Sequence, residues 1–469
     1  MKTKIIATLG PSTSSSALIE AMVKEGVSGF RINFGHGNEE TWRKLAETVR
    51  EISEKLNTPL ALIGDLKGPQ VRVGRLQAPV KLTKGSTVNV VYAAESSGDS
   101  IPVPVRELFD AAQPGDVIIV GDGNVQLRVL DAGSNEITAV ALHEGEVSEG
   151  KKIVIKGKEL SVPLLSDFDV KCIKFAVDMD FSHIAVSYVR SPSDLELVRD
   201  TVRTFGGNLA LISKIETVRA YRNLNGIIAL SDAVLVARGD LGLHFDLSEI
   251  PLIQREIVEK AQLARKPVLV ATEIMESMVD QPVPARSDVS GVYTLVEALV
   301  DAIVLTNETA IGKYPLECVR WLRKIIGVAE QSVDHGEVFK LRSKLPDESL
   351  KEKYARGLLS LAESVEGKIL VYTKSNTLPP LISSLKPRVP VFVGTTCKAI
   401  ARRLAIYYGL TPLLLNGRES GEVDYEEGLR VLEHVLREKG LINIGDIVVE
   451  GYAKPDLHLH EVQVKRIIR

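Results

Sequence analysis

Along most of the chain, short unbroken apolar runs alternate with amphipathic stretches, and that alternation predicts an α/β fold. KIIATLG (4–10), GFRINFG (29–35) and PLALIGD (59–65) read as strands, separated by helical stretches at 15–24 and 39–56. Runs of Ile, Leu, Val and Ala without polar alternation suit parallel strands covered on both faces. From about Gln70 to Lys156 the rhythm changes to short β-like runs divided by turn residues, among them STVNVVY, DVIIVGDG and EITAVALHEG. That stretch predicts an all-β insertion, a small barrel of five or more strands. The earlier rhythm then returns with a helix near 168–178 and strands HIAVSYV, NLALISKIE, DAVLVARGD, KPVLVATE and DAIVLTNET. Three strands before the insertion and five after it make the (β/α)8 count, preferred over an open doubly wound sheet. A polar connection is expected over 334–349, followed by a C-terminal α/β open sheet built on GKILVYT, VPVFVGT, TPLLL and DIVVEGY. The expected division is barrel 1–69 and 158–333, lid 70–157, and C-terminal unit 334–469.

The C-terminal ends of the predicted strands carry the unusual polar residues: Arg31 and Asn33, Asp65 and Lys67, Ser187 and Arg190, Lys214 and Glu216, Arg238 and Asp240, Thr272, and Glu308. In a (β/α)8 barrel these ends converge on one face, where active sites are built. Cations such as Arg31, Arg72 and Lys214 suit a phosphorylated substrate, and carboxylates on adjacent strands, Glu216 and Asp240, suit a hard divalent metal. Cations, metal and phosphate together indicate phosphoryl transfer, in which the protein positions and neutralises charge. Taken singly, a strand-end Asp or Glu caps the next helix more often than it binds metal, and Arg238 is expected to support a neighbouring carboxylate. It is the convergence on one rim that carries the functional reading.

Composition narrows the partners. A formal net charge of −3 over 469 residues gives no general attraction to nucleic acid or anionic membrane. The apolar runs fall far short of a membrane span, and the first segment lacks a signal-peptide pattern, so a cytoplasmic protein is expected. Cys172, Cys318 and Cys397 are far apart and are expected as small core residues. Neither a GxxxxGK[ST] loop nor a GxGxxG fingerprint is present. His458 and His460, two apart on an expected strand, read as surface residues rather than a metal pair.

The stretches TKIIATLGPS (3–12), FRINFGHG (30–37), GDLKGPQVRVG (64–74), ISKIET (212–217), LVARGDLG (235–242), VATEIMESMVDQPVPARSDV (270–289) and NETAIGKYP (307–315) resemble the pyruvate kinase family, in order and over essentially the whole chain. The resemblance implies phosphoryl transfer between phosphoenolpyruvate and ADP, giving pyruvate and ATP. It implies Mg²⁺ or Mn²⁺ on Glu216 and Asp240, Lys214 at the transferring phosphoryl and enolate oxygen, and Arg31 and Arg72 as phosphate clamps. Thr272 would lie near the enolate carbon with a water relay, and Ser187 and Gly239 beside the substrate. Asn33 and Asp65 match the family's monovalent-cation site, Pro11, His36 and Arg72 the nucleotide site, and Asp122 a lid carboxylate. A homotetramer and an effector loop in the C-terminal unit are also implied.

Three departures qualify the resemblance. Gly35, Leu66, Gln70 and Val73 replace the usual Ser, Thr, Glu and Thr around the potassium site, so an obligatory K⁺ requirement is not expected. TNET at 306–309 replaces SGET and keeps Glu308 and Thr309 for packing. TKSNTLPPL at 373–381 replaces the usual Gly- and Arg-bearing effector loop. Thr373, Lys374, Ser375 and Thr377 still offer donors before a helix, so a phosphorylated effector other than the usual sugar bisphosphate is expected, with a simple capped helix start as the alternative. Two competing functions weigh little. A metal-dependent lyase acting on pyruvate enolate would not need the inserted lid, and a non-catalytic metabolite-binding paralogue would have lost Lys214, Glu216, Asp240 or Thr272.

Overall fold

A computed structural model describes the chain apart from residues 97, 122, 347–348, 416–423, 455–458 and 469. The eight expected strands are β1 Lys4–Leu9, β2 Val27–Asn33, β3 Ala61–Asp65, β4 His183–Val186, β5 Ala210–Ile215, β6 Ala233–Ala237, β7 Val268–Ala271 and β8 Ala302–Leu305. They close in chain order into one parallel barrel, β8 pairing back onto β1 through Lys4↔Ala302 to Ala7↔Leu305. Seven of the eight are buried at every position, as their unbroken apolar sequences require. The flanking helices follow from local chemistry. Asn38 accepts from the Thr41 amide to start Glu39–Lys55, two glutamates sit in its first turn, and Trp42, Leu45, Ala46, Val49 and Ile52 form the buried stripe.

The insertion between β3 and β4 is β-rich, with one short helix at Arg106–Ala111. Its ladders form a six-stranded sheet and two two-stranded ones, around a separate core that includes Val90, Ile118, Leu127 and Ile137. Among the described residues these ladders do not join into one continuous sheet. The C-terminal unit holds β9 Lys368–Tyr372, β10 Val391–Thr395, β11 Leu410–Leu414, β12 Ile447–Lys454 and β13 Leu459–Arg466. Their order is β11-β10-β9-β12-β13, with β13 antiparallel at the edge.

Two sequence expectations are corrected. The stretch 334–349 is not a plain connection: His335–Lys344 is helical, capped by Asp334, with Val338 and Leu341 buried against Leu299 and Tyr408. Cys172 and Cys318 are buried as expected, but Cys397 is exposed.

The C-terminal unit docks under the barrel, and Asp301 is the joint. Its Oδ2 accepts from Val268 N at 3.0 Å and from Lys386 Nζ at 2.8 Å, and its Oδ1 accepts from Tyr408 N at 3.1 Å. Asp301 and Lys386 are each 2% exposed. Removing one member of such a pair strands the other. Asp301→Ala is expected to lower unfolding free energy by about 3 kcal/mol, read by urea denaturation, whereas a loss below about 1 kcal/mol would mean the joint contributes little.

Candidate active site

Register sets the site. Asn33 pairs with Asp65 across β2 and β3, Ala185 with Asp65 across β3 and β4, and Ile215 with Val236 across β5 and β6, so the polar strand ends lie side by side on one rim. At its centre is Lys214, 9% exposed. Its Nζ donates to Ser187 Oγ at 2.7 Å and to Asp65 Oδ1 at 3.4 Å, and lies 3.4 Å from Glu216 Oε2. Ser187 passes its own proton to the Leu66 carbonyl at 2.8 Å. Arg31 is fixed from two sides, Nε on Asp65 Oδ2 at 2.7 Å and Nη1 on Thr8 Oγ1 at 3.1 Å. Its Nη2 has no protein partner among the described residues, leaving one edge of the guanidinium for a ligand.

Charge balance explains the protonation states. Burial alone would raise the Asp65 carboxyl, but Lys214 and Arg31 outweigh it and hold it below the usual range. Burial likewise favours a neutral Lys214, yet Asp65, Glu216 and Asp240 together raise its pKa instead. Glu216 is the exception. Burial pushes its carboxyl up to about 7, with Asp240 adding to the rise and Lys214 opposing it. One Glu216 oxygen accepts from Tyr188 N at 2.6 Å, and the other is buried without a hydrogen-bond partner. The contact with Lys214 is an ion pair not aligned for a hydrogen bond.

That stranded oxygen, beside Asp240, is the feature a divalent cation would relieve, so the residues present fit the expected metal. Among the described residues no group of three or more His, Cys, Asp or Glu side chains forms a closed metal cage. The pair therefore fits a cation completed by substrate and water oxygens. Asp240 also receives Lys152, which reaches over from the lid, with its ammonium 5.4 Å from the centre of the Tyr188 ring. Sequence reasoning missed Lys152, because its approach to Asp240 depends on how the lid docks.

Three residues of the same rim stand in the left-handed region. Tyr188, Thr272 and Glu273 have φ of 57°, 70° and 53°, uncommon for residues with side chains this bulky. Thr272 Oγ1 donates to Ala271 O at 2.6 Å and accepts from Gly239 N at 2.8 Å, which places Gly239 and Thr272 together beside Asp240. The nucleotide-side candidates form a cationic wall. The His36 pKa is lowered first by burial and then by Arg72, Arg31 and Lys67, so its ring lies within the field of all three cations. Arg72 is held within the inserted unit, by Gly150 O at 2.7 Å and Gln70 Oε1 at 2.5 Å. Pro11 opens the 3-10 turn that follows β1 and is exposed.

Other candidates are structural. Arg190 donates to Val162 O at 2.9 Å, pinning the chain where it returns from the lid. Glu308 is fully buried and accepts from Met275 N at 3.1 Å and Thr306 N at 2.6 Å, the packing role expected of it. Arg238 donates to the carbonyls of Thr272 and Glu273 rather than to a carboxylate. Asn33 Oδ1 is taken by Gly35 N at 3.0 Å. Asp122 and His458 lie outside the described residues. His460 is half-buried, 4.9 Å from the Tyr354 ring, and is not the free surface residue expected.

In the C-terminal unit Thr373, Ser375 and Thr377 line a small cleft with Lys351, Tyr354, Tyr425 and His460. Thr373 Oγ1 accepts from Ser375 N at 3.2 Å, and Lys374 Nζ is 5.4 Å from the Tyr425 ring centre.

A (β/α)8 barrel with an inserted lid, and with lysine, arginine and paired carboxylates gathered beneath it, is the class of barrel enzyme that handles anionic substrates with a divalent metal. The pyruvate kinase barrel-domain model matches residues 1–319, and the pyruvate kinase alpha/beta-domain model matches 352–452. The chain belongs to the pyruvate kinase family. It is 35% identical to the pyruvate kinase of Aeropyrum pernix over 99% of this chain and 98% of that one. The crystal structure of pyruvate kinase from Pyrobaculum aerophilum superposes with a TM-score of 0.85 at 35% identity, covering 99% of each chain. A pyruvate kinase structure from Cryptosporidium parvum gives 0.91 at 27% identity, covering 99% of this chain and 96% of that one.

Proposed function

We propose that the chain transfers the phosphoryl group of phosphoenolpyruvate to ADP, giving pyruvate and ATP. The observation that carries this reading is the buried Lys214 ammonium held between Asp65 and Glu216, with a Glu216 oxygen beside Asp240 that receives no hydrogen bond. The ester P–O bond of the substrate breaks, a bond forms to a terminal oxygen of ADP, and the electron pair stays on the enol oxygen. Arg31, with its free edge, and Arg72, on the lid side, hold phosphate oxygens. Lys214 faces the bridging oxygen and stabilises the negative charge that develops there. Lid contacts through Arg72 and Lys152 exclude water from the transfer. The enolate then takes a proton at its methylene carbon, with Thr272 ordering the water that delivers it. Magnesium or manganese, when bound to Glu216 and Asp240, supplies charge neutralisation for the substrate oxygens. Pro11 and His36 flank the nucleotide.

The potassium site is proposed to be dispensable. Asn33 and Asp65 already spend their oxygens on Gly35, Arg31 and Lys214, and Leu66, 2% exposed in the core, offers no ligand. Pyruvate formation with Mg²⁺ and no K⁺ is expected at no less than about half the rate with K⁺, since RT ln 2 is well below one ordinary hydrogen bond. A strict K⁺ requirement would retire this cation reading and keep the kinase. Absence of pyruvate under both conditions would retire the kinase itself.

The domain division given above, a homotetramer and a cytoplasmic setting are carried with the same reading. Among the described residues no helix is long and apolar enough to cross a membrane. The cleft around Thr373, Lys374, Ser375 and Thr377 is assigned to a phosphorylated effector, with hydroxyls and two lysines as its donors.

A further inference from the structure

The segment carrying Thr272 leaves β7 in a conformation that its own sequence disfavours. Two consecutive residues, Thr272 and Glu273, stand at positive φ, and the first is β-branched, the type least tolerant of that region. Such geometry persists only where the surroundings over-determine it. The surroundings are Arg238, at the end of β6. Its Nε and Nη2 donate to Thr272 O at 3.1 and 2.7 Å, and Nη2 also donates to Glu273 O. Glu273, Glu308 and Asp288 bias the surroundings of Arg238 toward negative charge. Two residues beyond the turn, Glu308 accepts from the Met275 amide at 3.1 Å, which anchors the chain that follows.

The clamp has a consequence for the hydroxyl. With the Thr272 carbonyl fixed toward Arg238, its Oγ1 meets the Gly239 amide at 2.8 Å, next to Asp240. We infer that Arg238 is a positioning residue for enolate protonation, holding the Thr272–Glu273 turn so that the Thr272 hydroxyl is aimed at the substrate's methylene carbon. The inference rests on the assignment of Thr272 to the proton relay. It differs from a general packing role in what it perturbs: the protonation step and not substrate affinity.

The test is exchange of pyruvate methyl protons in D₂O, followed by NMR with Mg²⁺ and ATP present, alongside steady-state kinetics. Arg238→Met is expected to lower exchange and kcat together by about 100-fold, the scale of a misplaced catalytic group, with KM for phosphoenolpyruvate within about threefold. Added guanidinium is expected to restore at least about fivefold, because a planar fork can rebind both carbonyls. Arg238→Met combined with Thr272→Val is expected to be no slower than Thr272→Val alone. Wild-type exchange in Arg238→Met, or losses that simply multiply in the double variant, would overturn the inference. Where Arg238→Met does not fold, Arg238→Lys carries the test: its point charge cannot span both carbonyls, and wild-type exchange there overturns the inference equally. Full exchange in Thr272→Val is a separate result and overturns the Thr272 assignment on which this one rests.

Discussion

Lys214→Met is expected to remove activity and stability together. The ammonium is the donor aimed at the bridging oxygen where charge develops, and losing one such donor typically costs 10²–10³ in kcat, so a fall of about 1,000-fold or more is expected. The rest of the effect comes from what the lysine leaves behind. Asp65 would keep Arg31 as its cationic partner beside the Ser187 hydroxyl, and Glu216 would lose the nearer of the two cations that oppose its burial. Breaking one side of a buried ion network costs about 3–5 kcal/mol, so the variant should also unfold several degrees earlier. Lys214→Arg keeps the charge but not its compact shape, and is expected to recover stability without activity. Initial-rate assays with phosphoenolpyruvate and ADP, paired with thermal unfolding, separate the two losses. A Lys214→Met enzyme retaining more than about a tenth of wild-type kcat would place the developing charge elsewhere in the site.

The barrel and its rim were legible because each rests on local pattern. Unbroken apolar runs such as VLVA and AIVL can be satisfied only between two covered faces, and the polar residue that ends each run must then stand on one rim. Lys214, Glu216, Asp240 and Thr272 could thus be grouped before any distance was known. What failed to show depended on contacts between distant segments. Among its described residues the helix His335–Lys344 buries only Val338 and Leu341 and leaves Phe339 exposed, too weak a stripe to read as periodic. Arg238 was expected to find a carboxylate, whereas the strained turn after β7 offers it two carbonyls. Lys152 lies in the lid, 88 residues from Asp240, and nothing around it in sequence marks it as the partner. Gly35 and Leu66 were visible as departures, but only the geometry shows Asn33 and Asp65 already engaged by the chain's own groups.

Glu216→Gln is expected to do what Lys214→Met does not, abolishing activity while making the metal-free protein more stable. The amide keeps the shape and still accepts the Tyr188 N–H now made at 2.6 Å, so the fold at the end of β5 is retained. It removes a fully buried charge that has one oxygen without a hydrogen bond, an arrangement that costs stability wherever no cation is bound. The predicted gain is about 1 kcal/mol in metal-free buffer, the lower end of the cost of an unsatisfied buried group. Metal affinity should move the other way. Losing a direct carboxylate ligand is expected to weaken Mn²⁺ binding by at least about 100-fold, the upper range for losing even an outer partner, as read by electron paramagnetic resonance titration. Adding saturating Mn²⁺ should therefore stabilise wild type and leave Glu216→Gln nearly unmoved. Unchanged Mn²⁺ affinity in the variant would exclude Glu216 as a ligand and leave its stranded oxygen without a function. A loss of metal-free stability would instead mark the carboxylate as a structural partner of Lys214. The expected combination, more stable and inactive, is the signature of a charge kept at the cost of folding because the reaction needs it.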